Sequence, residues 1–583
     1  MNMNYREKYQ MWLKSPLIDK ETKEELSSLK GKDQEIEDRF YKDLEFGTGG
    51  LRGIIGAGSN RMNRYTVARA TQGLANYIKK AGDKAMADGV VIAYDSRRKS
   101  PDFALDAAQV LCANGIRTYL YTELQPTPVL SFSVRELGTT AGIVITASHN
   151  APAYNGYKVY WSDGGQIPPH LDREIIREVN AVEGFGDIRS MPVQWAKDKG
   201  YLRFIGEEVL SKYIRKVKDL CIDRKLVEKE GKNLKVIYTP IHGTGNKPVR
   251  RVLKELGFEN VTVVPEQEKP DPDFSTVEYP NPENNEVFTL AIAMAEKQGA
   301  DLIIGTDPDC DRVGVVVKNR RGKYVTLTGN QTGALLVHYY LSARKAMGSL
   351  PENGCIIKTI VTGGMGRKIA ESFGVETMDT LTGFKFIGEK IKEFEETGSH
   401  TFLFGYEESY GYLTGDFVRD KDAVIASMLI CEMAAWYRSK GMNLYDGLVS
   451  LWERYGYFRE TLKSIQMAGK EGMKKITAMM DHLRENEPDT VAGVPVVRIE
   501  DYLTGKAVDV KTGRESKLTL PVSNVLKFSL EDGSWFCARP SGTEPKVKLY
   551  FSVTGNSLED ADAKDKALID AVYRLVQPEA GHI

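Results

Sequence analysis

Short apolar runs recur along the chain, and each stops abruptly at glycine, serine, aspartate or another polar residue. They are Val90–Tyr94, Gly142–Ile145, Lys235–Tyr238, Leu302–Ile304, Cys355–Ile357 and Thr401–Phe404. Runs this short, bounded by turn formers, predict buried strands. Helical stretches such as Asp102–Ala113, Pro248–Leu256 and Val287–Lys297 fall between them. Strand and helix in alternation predict mainly parallel sheets with helices on their faces, and ligands then bind beyond the carboxyl ends of the strands. Residues 3–44 are polar and helix-favouring, with aromatics at Tyr9, Trp12, Phe40 and Tyr41, and predict a helical lead-in packed on the first domain. After Phe458 the pattern changes to a charged helical stretch reaching about Glu485, then shorter strands through Val553. A helical tail follows from Ser557, with Ser557 and Asp560 spaced as a capping box. This end predicts an α+β domain.

The chain has 583 residues, which suggests roughly four domains of about 150 residues each. The expected divisions are 1–205, 206–322, 323–455 and 456–583. A proline-rich loop at Pro270–Asp273 and Pro280–Glu283 falls inside the second. No short repeat is visible, so a solenoid is not expected. Lys plus Arg (79) nearly cancels Asp plus Glu (80), which gives no global argument for nucleic acid or a membrane surface. The N-terminus lacks a secretory pattern and no long apolar run is present. Six scattered cysteines without a C-x-x-C pair fit free thiols in a reducing compartment. The expected location is cytoplasmic, with no obligate protein partner.

Candidate chemistry gathers where strands end. Gly142–Ile145 runs into Thr146-Ala147-Ser148-His149-Asn150, with Asn155-Gly156-Tyr157-Lys158 just beyond. A hydroxyl presented at the end of a buried strand is well placed to be a nucleophile. Gly305-Thr306-Asp307-Pro308-Asp309-Cys310-Asp311-Arg312 follows Leu302–Ile304. Three alternate carboxylates on one loop repel unless a cation sits among them, and hard oxygen ligands suit magnesium or calcium. An EF-hand is excluded, because its glycine and glutamate positions hold Arg312 and Lys318. In Arg539-Pro540-Ser541-Gly542-Thr543-Glu544-Pro545-Lys546-Val547-Lys548, hydroxyls, glycine N–H groups and cations together suit a phosphate. Gly405-Tyr406-Glu407-Glu408-Ser409-Tyr410-Gly411, followed by Arg419-Asp420-Lys421-Asp422, offers carboxylates and aromatics that suit a sugar. Phe46-Gly47-Thr48-Gly49-Gly50-Leu51-Arg52-Gly53 has neither dinucleotide nor P-loop spacing. It reads as a backbone kink or as Arg52 reaching a phosphate.

Taken together, these segments resemble the α-D-phosphohexomutase family, from Gly47 to Phe551 and in family order. The lead-in and the Gly47–Gly53 segment look most like its longer phosphoglucomutase–phosphopentomutase branch. The resemblance implies a four-domain α/β enzyme, three domains with mixed, mainly parallel sheets and a C-terminal α+β domain, around a central cleft. It implies an intramolecular phosphotransferase acting on a phosphosugar, with Mg2+ and glucose 1,6-bisphosphate as cofactor and intermediate. By the same resemblance, Ser148 is the phosphoserine, and Asp307, Asp309 and Asp311 are metal ligands joined by a Ser148 phosphoryl oxygen. Arg52, His149, Lys158 and Arg312 line the reacting centre. Glu407 and Ser409 grip sugar hydroxyls, while Thr382, Gly383, Phe384 and Lys385 match a loop that helps choose sugar orientation. Lys421, Arg539, Ser541, Gly542, Thr543 and Lys548 bind substrate.

The form Glu407-Glu408-Ser409, in place of a G-E-M-S-G-H loop, leans toward glucose over mannose and leaves ribose open. The implied reaction is glucose 1-phosphate to glucose 6-phosphate, with phosphopentomutase or phosphomannomutase as alternatives. Lys158 and His149 are the candidate general bases, with Lys158 favoured. Two rivals differ in kind. One is a haloacid-dehalogenase-type phosphatase or mutase using Asp307, and the other is a non-catalytic phosphosugar-binding protein.

Overall fold

The computed structural model describes residues 3–46, 50–467, 469–541 and 546–576. The chain divides into two compact units. One comprises Met1–Thr328, Phe384–Gly405 and Ser409–Asn443; the other comprises Gly329–Gly383, Tyr406–Glu408 and Leu444–Ile583.

The first unit opens with three helices, Tyr5–Lys14, Lys20–Ser27 and Asp33–Phe40. Asn4 and Glu7 form a reciprocal capping box that starts the first of them. Trp12 fixes the lead-in by meeting Phe40, Tyr65 and Phe185 edge-on. A six-stranded sheet follows, ordered Gly50–Ile54, Tyr154–Trp161, Ala141–Ile145, Val90–Tyr94, Thr118–Tyr121, Leu202–Ile205. The last four strands run parallel, and the first two pair antiparallel. Ala141–Ile145 is buried along its whole length. Helices Arg64–Lys80, Ser100–Ala113 and Thr127–Leu137 leave no polar face on the inner strands. Their Leu74, Phe103 and Leu111 pack with Ile92 and Ile143 in one core. Gly142 lets the Thr127–Leu137 helix approach, since a Cβ there would sit 2.6 Å from Val134.

A five-stranded sheet is ordered Tyr324–Leu327, Val313–Lys318, Leu302–Thr306, Val236–Thr239, Val261–Val263. Its first three strands pair antiparallel and the rest parallel. The predicted strands at 90–94, 142–145, 235–238 and 302–304 are therefore present with ends shifted by a residue or two.

In the second unit, Gly354–Thr359 runs parallel to Glu376–Thr380. The chain then builds an eight-stranded antiparallel sheet covered by helices Gly469–Glu485 and Leu558–Val576. One expectation is corrected here. The segment after Phe458 is not helical at first, because Tyr457–Gln466 is a ten-residue strand laddered with Lys546–Gly555. It is an edge strand in which only Phe458 is buried, so backbone pairing rather than alternating apolar burial defines it. The tail's cap is also modified: Ser557 accepts the Asp560 N–H, but Asp560 turns to the N–H of Asn556.

The helix Ala423–Arg438 of the first unit, buried almost throughout, begins at Asp422, which accepts the N–H groups of Val424 and Ile425 and the Tyr213 hydroxyl. Burial pushes the Asp422 carboxyl up to about 7 despite these donors. The folded state thus holds this proton more tightly than the unfolded chain. Stability contributed by protonation is lost as pH rises through about 7. Asp422→Asn keeps the acceptor and has no charge to bury. Its melting temperature should exceed wild type at pH 8, by the equivalent of up to ~4 kcal/mol, with the gain shrinking as pH falls toward 4.5. Thermal unfolding at both pH values checks this.

Candidate active site

Ser148 stands one turn beyond the end of Ala141–Ile145, nearly sealed from solvent and with φ at 52°. A left-handed conformation at a non-glycine residue stores strain that the surrounding structure must hold. The Thr146 hydroxyl accepts the Ser148 N–H at 2.8 Å. Ser148 Oγ donates to Asp307 Oδ2 at 3.0 Å and lies 3.2 Å from His149 Nδ1. Desolvation, followed by the positive charges of Arg312 and Arg52, holds the His149 imidazole well below its ordinary pKa, so the ring beside Ser148 is neutral.

Asp307, Asp309 and Asp311 stand just past the strand Leu302–Thr306. All three are buried, with ligand atoms within 4.8 Å of one another. Asp307 Oδ1 accepts the N–H groups of Asp311 and Arg312, each at 3.0 Å. Gly243 supports the loop from beneath, where a Cβ would fall 2.5 Å from Pro308 Cα, and Thr244 donates to the Pro308 carbonyl. Asp309 Oδ1 and Asp311 Oδ1 are buried with no hydrogen-bond donor. Orphaned carboxylate oxygens facing like charge are what a hard divalent cation satisfies, so the residues fit a metal. Burial, then its two carboxylate neighbours, raises Asp307 well above the usual range. Burial acts in the same sense on Asp309, but the Lys158 ammonium at 2.9 Å more than reverses it and holds that carboxyl low.

Lys158, on Tyr154–Trp161, also lies 3.7 Å from Asp311, and Lys421 pairs with Asp311 at 3.0 Å and with Asp420 at 3.2 Å. Arg312 pairs with Glu283, and Arg52 donates to Asn150 at 3.1 Å. The first unit thus brings Ser148, His149, Lys158, the three aspartates, Arg312 and Lys421 into one neighbourhood, with Arg52 beside its loop. Ser409 sits in the turn before Gly411–Leu413. Lys385 has its Nζ buried without a hydrogen-bond partner. Two supporting residues escaped the motif reading. Thr127 donates from its hydroxyl to Asp309 Oδ2 and from its N–H to the Asp309 carbonyl. Tyr160 donates to Asp420. Thr127 had a sequence signal in Gln125-Pro126-Thr127, again just after a strand.

In the second unit, Glu407 Oε1 accepts the Gly383 N–H at 2.9 Å, which ties the two expected sugar loops together, and Thr382 Oγ1 is buried without a partner. Arg539 and Lys548 face each other across adjacent strands, and Arg539 reaches the Tyr550 hydroxyl. Ser541 N–H donates to the Lys546 carbonyl. Gly542 and Thr543, like Gly47, Thr48 and Gly49, lie outside the described residues. Among the described residues, no helix is long and apolar enough to cross a membrane.

Four family models match in succession. They are the α/β/α domains I, II and III of phosphoglucomutase/phosphomannomutase at residues 43–184, 211–322 and 328–455, and the C-terminal domain at 474–567. The chain belongs to the phosphoglucomutase/phosphomannomutase family, as the motifs implied. It is 40% identical over 523 residues to a phosphoglucomutase of Staphylococcus haemolyticus, covering 90% of this chain and 92% of that one. Among solved structures, a phosphoglucomutase/phosphomannomutase family protein from Burkholderia thailandensis superposes with a TM-score of 0.66 at 19% identity, over 92% of this chain and 98% of that one. An Aspergillus fumigatus N-acetylphosphoglucosamine mutase, solved with GlcNAc-6P and magnesium, gives 0.50 at 13% identity, over 92% and 96%.

Proposed function

We propose that this chain interconverts α-glucose 1-phosphate and glucose 6-phosphate through a phosphorylated Ser148 and glucose 1,6-bisphosphate. The observation that carries the reading is the Ser148 hydroxyl at 3.0 Å from a buried aspartate triad. The staphylococcal relative supports glucose as the sugar. O1 and O6 of a hexose are too far apart for direct transfer, so a phosphoenzyme donates one phosphoryl group and recovers the other after the bisphosphate turns over. Ser148 is the carrier. Asp307, Asp309 and Asp311 would hold Mg2+, which supplies charge neutralisation on the transferring group when bound. Lys158, 2.9 Å from Asp309, is the favoured base for the attacking hydroxyl, and neutral His149 orients Ser148. Arg52, Arg312 and Lys421 supply positive charge for phosphate oxygens. Glu407 and Ser409 take sugar hydroxyls, Thr382 and Gly383 contribute to sugar orientation, and Arg539, Ser541, Gly542, Thr543 and Lys548 hold a phosphate. A cytoplasmic location, supported by six buried free thiols, and divisions after residues 205, 322 and 455 belong to the same proposal.

The test is turnover of glucose 1-phosphate with magnesium and a trace of glucose 1,6-bisphosphate, beside ribose 1-phosphate and mannose 1-phosphate. Fast turnover of the glucose ester supports the reading. Preference for ribose 1-phosphate would move the chain to pentomutase activity, and preference for mannose 1-phosphate to mannomutase activity.

A further inference from the structure

Arg97 lies in the loop just past Val90–Tyr94, the strand next to the one that ends near Ser148. Its side chain is wholly shielded from solvent. A guanidinium buried this deeply must spend its fork of donors on fixed acceptors. Its four side-chain hydrogen bonds to main-chain carbonyls all go to one loop. Nη2 donates to the carbonyls of Ser148 and Asn150, and Nη1 donates to those of Ala151 at 2.9 Å and Tyr154 at 3.1 Å. Asp95 stands 3.4 Å from Nε, and the Phe274 ring stacks 4.9 Å from the guanidinium carbon. Asp95 is anchored by the Ser100 hydroxyl at 2.7 Å, and that hydroxyl accepts from Asn155 Nδ2 at 2.9 Å, which returns the chain of contacts to the far end of the same loop. The proline-rich loop around Pro272 thus supplies the ring that closes this nest.

Resting on the assignment of Ser148 as phosphoryl carrier, we propose that Arg97 is a positioning residue for the reaction. It gathers four carbonyls of the 148–154 loop and so holds Ser148 in its left-handed conformation with Oγ aimed at the aspartate triad. It acts only through the main chain. A lysine cannot reproduce this, because an ammonium offers one point of charge where the planar fork spans four oxygens. Misplacement of a nucleophile by about 1 Å costs roughly 100-fold in rate.

The readout is transfer of label from radiolabelled glucose 1,6-bisphosphate to Ser148 in the full chain, with steady-state kinetics alongside. Arg97→Lys should slow labelling and kcat by roughly 100-fold while leaving KM little changed. Ser100→Ala should slow both by a smaller factor, and added guanidinium should restore part of the rate to Arg97→Ala, a rescue that general loss of packing would not give. Labelling of folded Arg97→Lys at the wild-type rate overturns the proposal. Should Arg97→Lys be recovered only unfolded, labelling of Ser100→Ala at the wild-type rate overturns it instead. Wild-type protein that takes no label at Ser148 sinks the phosphoserine assignment and the clamp with it, whereas equal labelling of wild type and Arg97→Lys sinks the clamp alone.

Discussion

Ser148→Ala will remove mutase activity, lowering kcat on the order of 10⁴-fold or more while the protein remains folded. Alanine needs no more room than serine, and as an L-residue it meets the same demand at φ 52° that serine already meets. The Ser148 N–H keeps its bond to Thr146, and the loop carbonyls keep theirs to Arg97. What disappears is the single oxygen 3.0 Å from Asp307. A mutase that relays its phosphoryl group through that oxygen has no substitute, since His149 is neutral and only adjacent. Circular dichroism beside the glucose 1-phosphate assay separates loss of chemistry from loss of fold. Activity that survives would transfer the nucleophile to Asp307 and favour the aspartyl phosphotransferase rival.

Asp309→Asn should raise the magnesium concentration for half-maximal activity by at least ~100-fold. Asp309 is held firmly in its charged form by Lys158 at 2.9 Å, and it also accepts from Thr127. The amide keeps the shape and loses the charge. Lys158 then shares Asp311 with Lys421, so the cation meets fewer negative charges and stronger positive competition. The metal-free variant should be less stable than wild type at neutral pH, because the folded state favours the charged form of Asp309 and the amide leaves the largely buried Lys158 without its nearest carboxylate. Magnesium titration of activity and calorimetry of magnesium binding test the first statement, and thermal unfolding tests the second. Unchanged magnesium dependence would make the triad a structural carboxylate cluster.

The site was legible where chemistry is written consecutively. Ser148 to Asn150 and Asp307 to Arg312 each occupy one loop after an apolar strand, so residue type and position announce themselves together. Arg97, Thr127 and Tyr160 were not legible in the same way. Each acts on a residue remote in sequence, and a lone arginine or tyrosine carries no spacing signal, while Thr127 had only its place after a strand to mark it. The fold divides similarly. The inner strands of the first two sheets are apolar because both faces are covered, and their runs could be read directly. Tyr457–Gln466 could not, because an edge strand with polar side chains owes its form to its hydrogen-bonded neighbour. The lead-in helices were legible from their polar, helix-favouring composition and their aromatics, since Tyr9, Trp12 and Phe40 pack on one another within that segment.

The left-handed backbone at Ser148 is matched by Cys310, between two of the aspartates, at φ 54°, and by Tyr410, beside Ser409, at φ 67°. Each such residue carries a conformational cost of about 1 kcal/mol or more. Glycine would release that cost at all three places, yet it would also let the loops wander. Thermostabilising this enzyme by relaxing its least comfortable residues would therefore exchange turnover for durability, and a search for hardier variants does better in the lead-in helices and the outer edge of the C-terminal sheet.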